Sequence, residues 1–125
     1  MRATDIFDIV HERVREYQAL AGRIPAIRPD ASAHGGPARS GNTIVEYVAE
    51  FHLVGRRTLE RWPRRRLLFD LYYVGTMEYR VAIAALGVRP GTFDYWAQEI
   101  KRAVGPELER AGLFPPRSYR VHSLR

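Results

Sequence analysis

The 125-residue sequence contains no cysteine and a single lysine, Lys101. Without thiols there is no disulfide framework, no cysteine nucleophile and no Cys-based zinc or iron–sulfur site, and a reducing, cytoplasmic setting is expected. The histidines, His11, His34, His52 and His122, lie far apart and in different expected elements, so no metal or catalytic histidine cluster is expected. No P-loop, Ser/His/Asp order or paired acidic constellation stands out, which argues against an enzyme and against a cofactor. Apolar runs fall well short of the ~20 residues of a membrane span. The opening MRATDIFDIV mixes acids into its apolar positions, unlike a signal peptide, so a soluble, unprocessed chain with no membrane partner is expected. No segment alternates in the manner of a strand.

What is present is positive charge. Lys and Arg together number 20 against 14 Asp and Glu, a formal net charge of +6, and all but Lys101 of the basic residues are arginine. Such a balance favours polyanionic partners, nucleic acid first among them, and arginine grips phosphate through a planar fork that lysine lacks. Arg56, Arg57, Arg61, Arg64, Arg65 and Arg66 fall within eleven positions. At that density they repel one another unless phosphate, acidic protein surface or internal acids neutralise them.

The apolar pattern is helical throughout and the expected fold is all-α, a small helical bundle. Ile6, Val10, Val14, Tyr17 and Ala21 recur at helical spacing over residues 5–21, with Thr4 or Asp5 to cap the start and Gly22 to end it. Residues 1–22 form an N-terminal amphipathic helix whose stripe needs a cover, supplied in cis or by a second copy in a homodimer. Residues 23–43 hold Pro25, Pro29, Pro37, Gly35, Gly36 and Gly41, sustain neither periodicity, and read as a flexible linker. Residues 44–112 form the main helical domain. Thr43 and Glu46 make a capping box for a helix bearing Ile44, Val45, Val48, Phe51 and Leu59, which must stop before Pro63.

Pro63 opens a further helix, with Leu67, Leu68, Leu71 and Val74 along one side and Gly75 at its close. Thr76 is placed to cap a short helix over residues 77–86, and Gly87 to end it in a left-handed conformation. From about Thr92, Phe93, Trp96, Ile100 and Val104 mark one helix face up to Gly105, with a short helix following over residues 106–111. Most aromatics fall on core-facing positions, leaving Tyr73 and Tyr95 as the exposed ones. Asp70 is expected as an ion-pair partner of Arg65 or Arg66, the latter at i+4 spacing. Residues 113–125, with Arg117, Arg120 and Arg125, read as a basic tail.

Two short helices joined by a tight Gly-containing turn are the specification of a helix-turn-helix. Ile83, Leu86, Val88, Phe93 and Trp96 supply the contact between them, leaving Arg89, Thr92, Asp94, Tyr95, Gln98, Lys101 and Arg102 outward. The stretch LERWPRRRLLFDLYYVGTMEYRVAIAALGVRPGT, beginning at Leu59, resembles region four of bacterial sigma factors in its helix-opening Pro63, its run Arg64 to Val74, Tyr79 and its turn LGVRPGT. The part DLYYVGTMEYRVAIAALG is also similar to phage antitermination proteins of the Q type. The resemblance covers about a third of the chain. It implies a helical domain whose last helix enters the major groove of double-stranded DNA while other faces touch RNA polymerase.

On that resemblance Arg89, Thr92, Tyr95 and Gln98 face bases or backbone, Lys101 and Arg102 hold phosphates, and Arg64, Arg65 and Arg66 contact phosphate or polymerase. Three departures are notable: Ala82 then Ile83 stand where the family has a bulky aliphatic and then Ala, Arg89 stands where it caps the second helix with Ser, and Phe93, Asp94, Tyr95 and Trp96 follow the turn where it often has an aliphatic residue, a lysine, a small residue and an arginine. The chain also lacks room for the large region that melts promoters. The expectation is a stand-alone DNA-binding transcription regulator; the alternative is a module that binds RNA polymerase without strong DNA specificity, with Asp94 and the aromatics at the interface.

Overall fold

The computed structural model describes residues 1–21 and 44–116, and over these the chain is all-helical. In chain order come α1 (Ala3–Ala21), α2 (Ile44–Thr58), α3 (Pro63–Leu68) running on into a π-helical turn (Phe69–Val74), α4 (Tyr79–Leu86) and α5 (Pro90–Arg110). The expected linker over 23–43, Thr43 of the capping box and the tail arginines Arg117, Arg120 and Arg125 lie outside the described residues. No helix among those described is long and apolar enough to cross a membrane.

The apolar stripe of α1 is covered in cis. Phe7, Val10, Val14 and Tyr17 are buried in one core with Tyr47, Phe51 and Val54 of α2 and Ile100, Val104 and Leu108 of α5. The N-terminal helix therefore shares the core of the main helical domain, and the stripe that a homodimer would use is already spent on α2 and α5. Gly105 is what allows α1 so close: a Cβ there would lie 2.2 Å from the Ala3 carbonyl oxygen. The expectation that Gly105 ends a helix is overturned on this point, because α5 continues through Gly105 and Pro106 to Arg110. Tertiary contact with α1, rather than a turn, explains the glycine.

The chain stays packed beyond α5. Gly112 takes a left-handed φ of 84°, the Leu113 amide bonds back to the Leu108 carbonyl, and Leu113 enters the core. Its carbonyl accepts a buried 2.7 Å hydrogen bond from the Tyr47 hydroxyl, so the expected tail boundary at 113 falls within the folded structure.

Between α2 and α4 the backbone departs from regular α-helix. Pro63 occupies the first turn of α3 as expected, and Trp62 before it is held out of helical geometry. After Leu68 the helix widens, and the Gly75 amide reaches back to the Asp70 carbonyl. Leu68, Phe69 and Tyr73 go inside while Leu67 is exposed, against the predicted stripe of Leu67, Leu68, Leu71 and Val74. Tyr73, expected at the surface, is a core residue, edge-on to Phe7 and His11 of α1. The terminal carbonyls of the turn are satisfied from α1, Tyr73 O by His11 Nε2 at 3.2 Å and Val74 O by Gln18 Nε2 at 3.2 Å.

Phe69 fits against α2 only because position 55 is glycine. A Cβ on Gly55 would lie 2.0 Å from the tip of the Phe69 ring. Asp70, next in the chain, turns toward α2 as well, 3.4 Å from His52 Nε2 and 3.9 Å from Arg56 Nε, rather than pairing with Arg65 or Arg66 along its own helix.

His11 packs among the rings of Phe7, Phe51 and Tyr73 with centroids 5.0 to 5.8 Å away, and burial drives its pKa from 6.5 down to about 4. The folded state then binds fewer protons than the unfolded chain between pH 4 and 6.5, so stability falls as pH drops through that window. Urea titrations should show a His11-dependent loss of about 3 kcal/mol on acidification through the window, absent from the His11→Gln variant. Two glycine substitutions test the packing: Gly55→Ala should cost about 1–3 kcal/mol through overpacking, whereas Gly91→Ala, with nothing within 4 Å of its new Cβ, should cost nothing. Equal effects in chemical denaturation would refute the Phe69 contact as the cause.

Candidate nucleic-acid interface

The α4–α5 pair begins with a cap that the sequence pattern assigned to Thr76. Glu78 fills that role, its Oε1 accepting from the Arg80 amide at 3.0 Å and the Val81 amide at 3.2 Å, so α4 opens at Tyr79. Thr76 sits instead in a left-handed conformation with φ 54°. At the other end Gly87 has φ 68°, as expected for a residue that closes one helix and redirects the chain. Gly87, Val88 and Arg89 then lead directly into α5, which starts at Pro90, two residues before the predicted start, since proline suits the first helical turn.

Leu86 and Phe93, named from spacing, are buried in the common core together with Ala82, and Ile83, Val88 and Trp96 pack against that core. Tyr72 and Tyr79 stand edge-on to the Phe93 ring at 5.2 and 5.3 Å. The Tyr79 hydroxyl donates to Asp94 Oδ1 at 2.9 Å, a bond that raises the phenol pKa. Asp94 is thus tied to α4, and its charge is directed at a neighbouring helix as well as at solvent.

The arginines after Pro63 divide by role. Arg64 donates to the Leu86 carbonyl at 2.7 Å, satisfying a terminal carbonyl of α4, and lies over the Trp96 ring. Arg65 is held between the Trp62 and Trp96 rings, 5.2 and 5.1 Å from their centroids, while its Nε donates to Glu99 Oε1 at 2.6 Å. That bond holds the Glu99 carboxyl below its ordinary pKa. Both side chains pin α3 to α5. Arg66 is half-buried and has no ion-pair partner among the described residues.

Four exposed positions of α5 form one stripe, with the exposed Asp94 beside it. Gly91, Tyr95, Gln98 and Arg102 recur at i, i+4, i+7 and i+11, opposite the buried Phe93, Ile100 and Val104, and Tyr95 retains 58% of its surface. Thr92 is half-buried at the edge. Arg89 is exposed at the N-cap with no side-chain bond to the helix. Lys101 belongs to a different face: it is mostly buried and its Nζ lies 2.9 Å from Asp8 of α1. The predicted set therefore separates into a shared surface of Arg89, Thr92, Tyr95, Gln98 and Arg102, and residues committed to internal contacts, Arg64, Arg65 and Lys101. Arg80, exposed in the first turn of α4, was not singled out from sequence; its position follows only once Glu78 is known to cap that helix. Among the described residues no group of three or more His, Asp or Glu is placed to hold a metal ion.

Two substitutions test this division. Arg65→Lys should weaken the fold nearly as much as Arg65→Ala in thermal denaturation, because a lysine keeps the charge but cannot stack its plane between two indoles. Arg89→Ser should stabilise the protein by about 0.5–2 kcal/mol by supplying the missing N-cap. Comparisons with protein-family models, with curated proteins and with solved structures returned no match in any of the three.

Proposed function

We propose that the protein is a DNA-binding transcription regulator in which α4 and α5 act as a helix-turn-helix and the exposed stripe of α5 enters the major groove. The observation that carries this reading is the stripe itself: Gly91, Tyr95, Gln98 and Arg102 are exposed along one helix face whose opposite side is locked into the core. Gly91, without a side chain, lets the start of α5 approach a base-pair edge closely. Gln98 offers the amide that pairs bidentately with adenine, and Tyr95 reaches bases or phosphate through its hydroxyl. Arg89 and Arg102 flank the stripe and, with Arg80 on α4, supply phosphate contacts that set register. Lys101 serves this role less well, being engaged with Asp8. The resemblance to sigma region four and the net charge of +6 point the same way.

A second reading, docking on RNA polymerase, is favoured by a different surface. Val81, Ala84 and Ala85 are exposed on α4, and Val81 keeps 53% of its area, an apolar face of the kind that meets protein. Asp94, assigned to such an interface from sequence, is held by Tyr79 beside it.

Selection from a random duplex pool at two salt concentrations should enrich a motif that survives the higher salt. On the selected duplex Gln98→Ala should cost about 1–3 kcal/mol and relax one position, while Arg102→Gln should weaken all duplexes alike and lower the salt slope by about 1. A pool that enriches nothing would sink the base-reading proposal; retention of RNA polymerase by the wild type but not by Val81→Asp would then establish the second.

A further inference from the structure

A concave site of about 390 Å³ lies on the face of α5 away from the exposed stripe, within the size range of small-molecule pockets. It is lined by Asp8, His11 and Arg15 of α1, Tyr72 and Tyr73 of the π-helical turn, the 75–78 loop, Tyr79 of α4 and Lys101 of α5. Three features distinguish it from a chance hollow. Tyr73 is 95% buried by its 5% exposure, yet its hydroxyl has no hydrogen-bond partner among the described residues although the side chain lines the cavity. Thr76, on the rim, holds a left-handed φ of 54°, a strained state that clusters at ligand sites. Four elements meet there, so the walls are fixed by the whole fold.

The charges indicate what fits. Both carboxylates are already engaged, Asp8 by Lys101 at 2.9 Å and Glu78 by the two amides it caps. His11 spends Nε2 on the Tyr73 carbonyl and burial keeps its ring neutral. The lining carries Arg15 and Lys101 against Asp8 and Glu78; with Lys101 paired to Asp8, Arg15, exposed and without an ion-pair partner among the described residues, is the cation open to an anionic group. Tyr72 and Tyr79 bring aromatic rings to the same cavity.

We propose that this cavity binds a small planar anion, its charged group on Arg15 with Lys101 adjacent, its ring against Tyr72 and Tyr79, and a polar atom bonded to the Tyr73 hydroxyl. Binding is read on the full chain without DNA, so it stands or falls separately from the reading above.

Calorimetry and thermal denaturation with 4-hydroxybenzoate, salicylate, AMP and GMP, and with inorganic phosphate as the non-planar control, test the site. At least one planar compound should bind saturably and raise the melting temperature, and Arg15→Gln and Tyr73→Phe should each weaken it by about tenfold. Tyr73→Phe removes only a hydroxyl without a partner, so its unliganded stability should match the wild type. Absence of binding by all four planar compounds, binding unchanged in both variants, or phosphate binding as tightly as the planar compounds would overturn the proposal.

Discussion

The close approach of α1 to α5 at Gly105 is the constraint on which the rest of the structure depends. With no side chain at that position the Ala3 backbone settles on α5, and the buried stripe of α1 then closes one side of the core. Everything at the far end of α5 inherits that placement. Because Phe93, Ile100, Val104 and Leu108 are held in the core, the opposite face of the same rigid helix presents Tyr95, Gln98 and Arg102 outward at fixed angles. A helix anchored along one face and exposed along the other loses little freedom when it meets a partner, which is the physical advantage of building a contact surface on a core helix.

A second set of contacts fixes α4 relative to α5. Arg64 bonds the last turn of α4, Arg65 is sandwiched by two indoles and bound to Glu99, and Tyr79 joins Asp94. The arginine cluster that looked like a polyanion-binding surface is thus partly internal. Arg65 is neutralised by Glu99 and Arg56 lies beside Asp70, while Arg64 is held by the Leu86 carbonyl and the Trp96 ring. Positive charge available to a partner lies at Arg80, Arg89 and Arg102, around the exposed stripe, and at Arg57 and Arg61 ahead of α3.

The π-helical turn links the two regions. It delivers Phe69 to the notch at Gly55 and Tyr73 to the core, and its last carbonyls would be orphaned without His11 and Gln18 of α1. The same turn brings Tyr72 against Phe93 and Tyr73 to the floor of the cavity beside Lys101. One irregular segment therefore serves the core, the α4–α5 contact and the cavity, which is consistent with the general placement of such bulges near functional surfaces.

The sequence by itself determined the helical class, the start of α3 at Pro63, the left-handed Gly87 and the core-facing Leu86 and Phe93 on α4 and α5. Each of these rests on local physics: a missing amide hydrogen, a missing Cβ, or a 3.6-residue period. Tertiary structure alone decided the features that need two distant segments. Gly105 reads as a helix end until Ala3 is seen against it, and Lys101 reads as outward until Asp8 of α1 reaches it. Tyr73 reads as exposed until Phe7 and His11 of α1 cover it, and the last carbonyls of the π-helical turn are bonded by His11 and Gln18 of the same distant helix. Local spacing specifies which residues can face one side of a helix; which side is covered, and by what, is set by the elements that pack there.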